Sequence, residues 1–409
     1  MIFSLILWLL IWGGMFTDTS YLSSPDFLHN FKDTFQGTRA FFPLVALYLS
    51  FMWIAFRRSR FPYFKDPLGF LFAYGLLGVL ISFILSTDVW KSAYWAGNYL
   101  APLMVFWMVY QGKDNVRRLR VIMNLNYTVF FVLTLSLLPS AIRIGRGLAG
   151  INQLYTLPLG LGLVNRNGVG RYALIVIIVS AIRLISQRGL RRLFWLLPMA
   201  PALYLLAQTE SRTALLGLAV IMLLYFLLRG INLKFLLFAP VGVFLLYTVG
   251  FQTRAHGRFD QLIALTGRQN AWMEGIAKVK LSPFLGWGFN ADRIMLNGAH
   301  MHNSYLHAAI QEGLVGMILF LMAILGIWAL MIWKNVFRVA RDLRGADQNF
   351  LIDSVLIVGF LTSRSVFEST AAFFGIDLLL IIPAMAFISI MLRGQDNREP
   401  EFEEAACES

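Results

Sequence analysis

The chain is cut into apolar stretches of near-spanning length, joined for the most part by loops too short to build a soluble domain. Hydrocarbon offers no partner to a peptide N–H or C=O, so such a chain folds as a bundle of membrane helices, all-α and polytopic. The stretches run over approximately 2–16, 40–56, 67–86, 93–110, 121–139, 170–187, 193–208, 213–229, 235–251, 304–333, 349–367 and 371–392, twelve in all. Composition agrees: 58% of residues are hydrophobic and 14% charged, outside the soluble range. The first fifteen residues lack a basic start and a small-residue cleavage site, so they read as a short first span rather than a signal peptide. The single cysteine, Cys407, lies in the polar tail, which leaves no disulfide framework and no cysteine metal site. The bundle is expected to occupy residues 1–392, followed by a disordered cytoplasmic tail over 393–409.

Loop charge sets the orientation. Arg57-Arg58-Ser59-Arg60, Lys113 with Arg117, Arg118 and Arg120, Arg188 with Arg191 and Arg192, Arg229 with Lys234, and Lys334 with Arg338, Arg341 and Arg344 all fall on one side. That side is cytoplasmic and carries both termini. The net charge of +13 is mostly this edging, and no basic run interleaved with aromatics points to nucleic acid. Loops 17–39, 140–169 and 252–303 then face outward, with the hinge around Arg212. Arg143, Arg146, Arg166, Arg171, Arg212, Arg254, Arg258, Arg268, Lys278, Lys280 and Arg293 sit on that outer side, against the usual bias. They read individually as solvated loop charges and together as a surface for an anionic ligand.

A polar stretch over 252–316 interrupts the apolar chain and runs through Met301-His302-Asn303-Ser304-Tyr305-Leu306-His307 to Gln311-Glu312-Gly313-Leu314-Val315-Gly316. A histidine–asparagine pair at the start of a membrane helix is costly unless something satisfies or uses it. His302 stands where a helix anchors it and its ring can reach water, a placement suited to taking a proton from a hydroxyl, since imidazoles exchange protons near neutral pH. Asn303 can orient it or hold a sugar hydroxyl. The pair also reads as an interfacial helix cap. A metal site would need His300, His302 and His307, but 302 and 307 are five apart and no carboxylate cluster accompanies them, so no metal or other cofactor is expected.

Arg212, in the hinge Thr209-Glu210-Ser211-Arg212-Thr213, and Arg268 carry the planar fork that grips phosphate oxygens in pairs. Arg212 also fits a local ion pair with Glu210, and either arginine can simply snorkel to the interface. Arg268 opens a segment with Trp272, Ile276 and Val279 on one face, an amphipathic helix at headgroup depth that ends before Pro283. Gly286-Trp287-Gly288 then makes a tight turn. Asn165-Arg166-Asn167, Arg171, Arg364 and Glu368 are weaker outer-side signals. Glu312, Asp353 and Asp377 are intramembrane acids scattered over different spans, where helix-to-helix hydrogen bonding is their expected role. An Asp-x-Asp pair, a glycine-rich phosphate loop and a serine elbow are missing.

Ser211-Arg212-Thr213, Gly267-Arg268…Trp272…Pro283-Phe284-Leu285-Gly286-Trp287-Gly288 and His302-Asn303…Leu306…Glu312-Gly313-Leu314-Val315-Gly316 resemble the core of the O-antigen ligase and polymerase superfamily. The resemblance is specific over about residues 160–320; before 140 only hydropathy supports it. It implies a twelve-span, metal-independent glycosyltransferase of the C type (GT-C) in the bacterial inner membrane, with a periplasmic active site. Such an enzyme moves a glycan from undecaprenyl diphosphate to an acceptor hydroxyl with inversion. The acceptor is a lipid A-core sugar in ligases and the growing glycan in polymerases. The family's essential histidine corresponds to His302, and its diphosphate-binding arginines to Arg212 and Arg268; Asn303, Asn165, Arg171 and Arg364 are candidate supports. The compact segment from Arg268 to His302 departs from the protein-glycosylating branch, which often carries a large added periplasmic domain. From a different class, a lipid-linked glycan transporter without chemistry would place charges and broken helices at mid-membrane, often in repeated halves. Here the suggestive residues gather at one face, and a mere scaffold leaves them unexplained.

Overall fold

The computed structural model describes residues 2–15, 37–57, 64, 66–110, 114–145, 154–157, 163–209, 211–230 and 268–393. The expected ninth stretch, 235–251, lies outside them, as do Arg146, Glu210, Arg254, Arg258 and the tail beyond Arg393. A helix stands at each of the other expected stretches. In chain order these are α1 (Ile2–Gly13), α2 (Phe42–Phe56), α3 (Leu68–Ile84), α4 (Val89–Tyr110), α5 (Asn115–Gly145), α6 (Arg166–Ser186), α7 (Leu196–Thr209) and α8 (Arg212–Arg229). After the gap come α9 (Arg268–Leu281), the short α10 (Ala291–Met295), α11 (Ser304–Trp333), the short α12 (Val336–Asp342), α13 (Gly345–Ser365) and α14 (Ile376–Arg393). A 3-10 stretch, Leu190–Trp195, leads into α7. Among the described residues, the departure from all-helix is a small antiparallel hairpin, Leu154–Thr156 with Leu163–Asn165, in the expected outer loop.

Among the described residues, five stretches are long and apolar enough to cross a membrane: 115–143, 166–186, 190–209, 304–333 and 376–393. Helix α14 is apolar all round and enclosed on all sides, as a central helix must be. Small residues let its neighbours close in: Phe360 of α13 fills the space at Gly217 of α8, and Leu224 of α8 the space at Gly359 of α13. The outer surface carries the opposite signature. Tyr48, Phe56, Leu80, Phe83, Leu197 and Ile332 are exposed, and Trp90 and Trp333 stand out at helix ends, where indoles favour a membrane interface.

Helix α11 is two helices in one. Glu312 (φ −134°) and Gly313 (φ 64°) leave the helical region, which frees backbone groups in the middle of an apolar segment. The turn after α9 takes them up. Leu314 N donates to the Pro283 carbonyl (2.7 Å), Val315 N to that of Phe284 (3.3 Å), and Gly288 N to that of Gln311 (2.7 Å). A side chain on Gly286 or Gly313 would drive a Cβ into the facing backbone, within 2.5 Å and 2.2 Å respectively. The Pro283–Gly288 turn and the Glu312–Gly316 break are therefore the two halves of one backbone joint. This joint seats the segment that carries His302 on the helix bundle.

Candidate active site

Residues 366–370, between α13 and α14, form the centre of the site. Glu368 is buried and holds three partners. Its Oε2 lies 3.0 Å from His302 Nδ1; its Oε1 accepts from Asn167 Nδ2 (2.8 Å) and Arg268 Nη2 (3.2 Å). The backbone around it is gripped as well. Arg268 Nη1 donates to the Phe367 carbonyl (2.7 Å), Asn303 Nδ2 to that of Val366 (2.9 Å), and Ser304 Oγ to those of Glu368 and Thr370 (3.0 Å each). Burial pushes the Glu368 carboxyl up, but the hydrogen bond from His302 and the charges of Arg364, His302 and Arg268 outweigh it and hold the group down to about 2. When the imidazole is neutral, an ionised Glu368 accepts a hydrogen bond from His302 Nδ1–H, which leaves Nε2 as the bare nitrogen.

His302 itself has φ 46°, the left-handed region that non-glycine residues avoid at a cost of roughly 1–2 kcal/mol. Its neighbours hold it there. Trp272 Nε1 donates to the Met301 carbonyl (2.5 Å), and Asn303 Oδ1 caps α11 by accepting from Tyr305 N and Leu306 N (3.0 Å each). Asn303 is thus the helix cap that its position predicts, and its amide also ties α11 to the Val366 carbonyl.

Arg268 opens α9, whose inner face is Trp272, the buried Gly275 and Val279. Ile276, expected on that face, is exposed instead, because Gly275 lets Met301 pack directly on the helix backbone. The Arg268 guanidinium is spent on Glu368 and the Phe367 carbonyl rather than snorkelling. Arg212 begins α8, and its side chain lies outside the described residues. The preceding Ser211 caps the helix and donates to Asn167 Oδ1 (3.1 Å), so a chain of polar contacts runs from that helix start through Asn167 to Glu368 and His302.

The remaining candidates take other places. Asn165 is exposed and caps α6 through Gly168 N (2.8 Å). Arg171 Nη1 (2.7 Å) and Arg364 Nη1 (2.5 Å) grip the two oxygens of the buried Asp377, tying α6, α13 and α14 together behind the site. Asp377 and Asp353, which pairs with Arg183 at 2.6 Å, are helix-to-helix partners as their positions predict. Glu312 is not: its buried carboxylate has no hydrogen-bond partner among the described residues. Beside the histidines, where no carboxylate cluster is expected, the fold supplies a single carboxylate. Spacing in sequence compares 302 with 307, whereas the fold brings Asp292 of α10 against His300 (2.9 Å) and His307 (3.3 Å). In the sequence Glu368 is only a weak outer-side signal, a lone acid four residues after Arg364 at the end of an apolar stretch.

Residues 197–321 match the protein family described as O-Antigen ligase. The match takes in Arg212, Arg268, both halves of the backbone joint and His302, so the resemblance carried by those motifs holds over this segment; Glu368 lies beyond it. The chain is also similar to the exopolysaccharide production protein ExoQ of Rhizobium meliloti (strain 1021), at 29% identity over 151 residues. That alignment covers 30% of this chain and 34% of the relative, so the chain spans about a third of the length of the curated relative it matches.

Proposed function

We propose that this chain is a glycosyltransferase that moves a glycan from undecaprenyl diphosphate to an acceptor hydroxyl on the periplasmic face of the bacterial inner membrane. The observation that carries the reading is the Glu368–His302 pair beside Arg268, contacts that join the 366–370 loop to the segment before α11 and to the start of α9. His302 Nε2 takes the proton of the acceptor hydroxyl as its oxygen bonds to the anomeric carbon from the face opposite the diphosphate. The anomeric carbon–oxygen bond to the diphosphate breaks, the carbon inverts, and the electron pair leaves with the diphosphate. Arg268, from its place at the start of α9, and Arg212, opening α8, receive that developing charge. Glu368 is a positioning residue: it fixes the imidazole tautomer and holds the Arg268 fork, part of which it must release when a diphosphate arrives. A diphosphate is already a good leaving group, so the transfer step itself is metal-independent. Twelve spans in a GT-C bundle, both termini cytoplasmic and the loop 252–303 periplasmic complete the reading.

Within that chemistry the family description favours ligation of O-antigen to lipid A-core during lipopolysaccharide biosynthesis. The likeness to an exopolysaccharide production protein favours a second reading, polymerisation of a lipid-linked repeat. One experiment separates them. A strain lacking this chain should accumulate undecaprenyl-linked polymer beside bare core lipid if the chain is a ligase. Lipid carrying single repeats would make it a polymerase. Unchanged glycans on both lipids would overturn both.

A further inference from the structure

We propose that Asp292, His300 and His307 form a binding site for a divalent transition metal of the zinc class, which staples the loop carrying His302 to α11. The three side chains come from α10, the loop after it and the second turn of α11, and one nitrogen or oxygen from each lies within 4.8 Å of the others. Asp292 Oδ2 is 2.9 Å from His300 Nδ1 and 3.3 Å from His307 Nδ1. Ligands about 2.1 Å from a tetrahedral zinc ion stand about 3.4 Å from one another, so the set needs only small adjustments to close on an ion.

The hydrogen bonds around His307 leave one of its nitrogens facing a carboxylate. The Gln311 amide is satisfied when its nitrogen donates to Tyr74 Oη (2.7 Å) and the Ala372 carbonyl (2.9 Å), so that its oxygen accepts from Asn290 N (3.2 Å) and His307 Nε2 (2.6 Å). The proton of the neutral His307 ring is then on Nε2, and Nδ1 turns a bare lone pair towards Ser369 Oγ (3.2 Å) and the Asp292 carboxylate. The serine hydroxyl can serve that lone pair, but nothing in this arrangement puts a proton between the nitrogen and the carboxylate. A cation resolves the opposition. The arrangement on the far side of the ring is the one metal-bound histidines show, a second nitrogen donating to a carbonyl oxygen. Asp292 Oδ1 is fully buried and has no hydrogen-bond partner among the described residues, which leaves the carboxylate a spare ligand atom. Phe373 stacks on His307 and meets His300 edge-on, giving the site an apolar wall.

The ion is structural. His300 lies two residues before His302, with ring centroids 5.0 Å apart, while the Glu368 network holds His302 independently. The test does not depend on the activity proposed above. Full-length protein in detergent, stripped of metal, is titrated with Zn²⁺ against a chromophoric chelator while its thermal melting is followed. One equivalent should bind, and the melting temperature should rise with zinc. Asp292→Asn and His300→Ala should each weaken binding by about 100-fold or more and abolish the thermal shift; a binding energy lost this way is lost as stabilisation of the folded state. His300→Ala also removes a 2.9 Å partner of the buried Asp292, so its metal-free melt is lower than the parent's and the zinc shift is read for each protein against its own metal-free melt. Parent protein that binds zinc no better than Asp292→Asn overturns the site and leaves a proton-sharing cluster. In the same preparations chelator should change glycan transfer by no more than about twofold. A complete loss restored by zinc would overturn the structural role.

Discussion

Two carboxylates at this end of the bundle, Glu368 and Asp377, are each held by basic side chains, yet they serve different ends. Asp377 sits between Arg171 and Arg364, whose side chains are only 14% and 7% exposed. Glu368 sits between Arg268 and His302, which are 22% and 36% exposed. Pairing chemistry is similar in the two; access differs. Every partner of Asp377 faces the core, so that cluster locks α6, α13 and α14 and has nothing to offer a substrate. The partners of Glu368 stand at the edge, held at their inner atoms and open at their outer ones.

Breaking the inner cluster should have the largest effect. Asp377→Ala leaves two buried guanidinium groups facing each other without a counter-charge, and removing one member of such a set costs about 3–5 kcal/mol. Folded protein should be scarce and its melting temperature sharply lower. A variant that melts like the parent would mean that the inner cluster is as dispensable as a surface pair.

At the outer cluster the effect should fall on catalysis instead. His302→Ala should lower transfer by about 100-fold or more, the usual worth of a positioned general base, with lipid donor still bound near parental affinity. The paired measurement is donor binding beside transfer in well-folded protein. Transfer at the parent rate would reduce His302 to part of a helix cap. Arg268→Lys keeps the charge but loses the planar fork that spans Glu368 and the Phe367 carbonyl. Donor binding and turnover should both drop, by very roughly tenfold. Equal donor affinity in variant and parent would remove Arg268 from the diphosphate clamp.

Glu368→Gln sharpens the comparison through acid stability. The carboxyl is held at about 2 in the folded protein against an ordinary 4.5. A lowered folded value means that the stabilisation is fully present above about 4.5 and is lost as pH falls towards 2. The glutamine variant has no such titration. Its melting temperature should be modestly lower than the parent's at neutral pH, and the gap should shrink as pH falls through that window. A gap that stays constant down to pH 2 would show that the charge on Glu368 contributes nothing.

Much was legible in the chain because hydrocarbon leaves a peptide group so few choices. Apolar length alone placed the helices, and α4 and α6 begin and end within about four residues of where hydropathy puts them. His302 and Arg268 were legible for the related reason that polar groups at a membrane boundary stand out against their surroundings. The glycines of Pro283–Gly288 and Glu312–Gly316 were visible as motifs, but their meaning was not. Only the tertiary structure shows two backbones approaching too closely for any Cβ at Gly286 and Gly313. The same holds for the acids. Glu368 and Asp377 are nine residues apart, each near a helix end and each within reach of basic residues in the sequence. Which one meets His302, and which one is sealed between arginines, depends on how α6, α9, α11, α13 and α14 pack. A side chain's partner across 66 residues of chain is fixed by helix packing, which hydropathy and spacing do not encode.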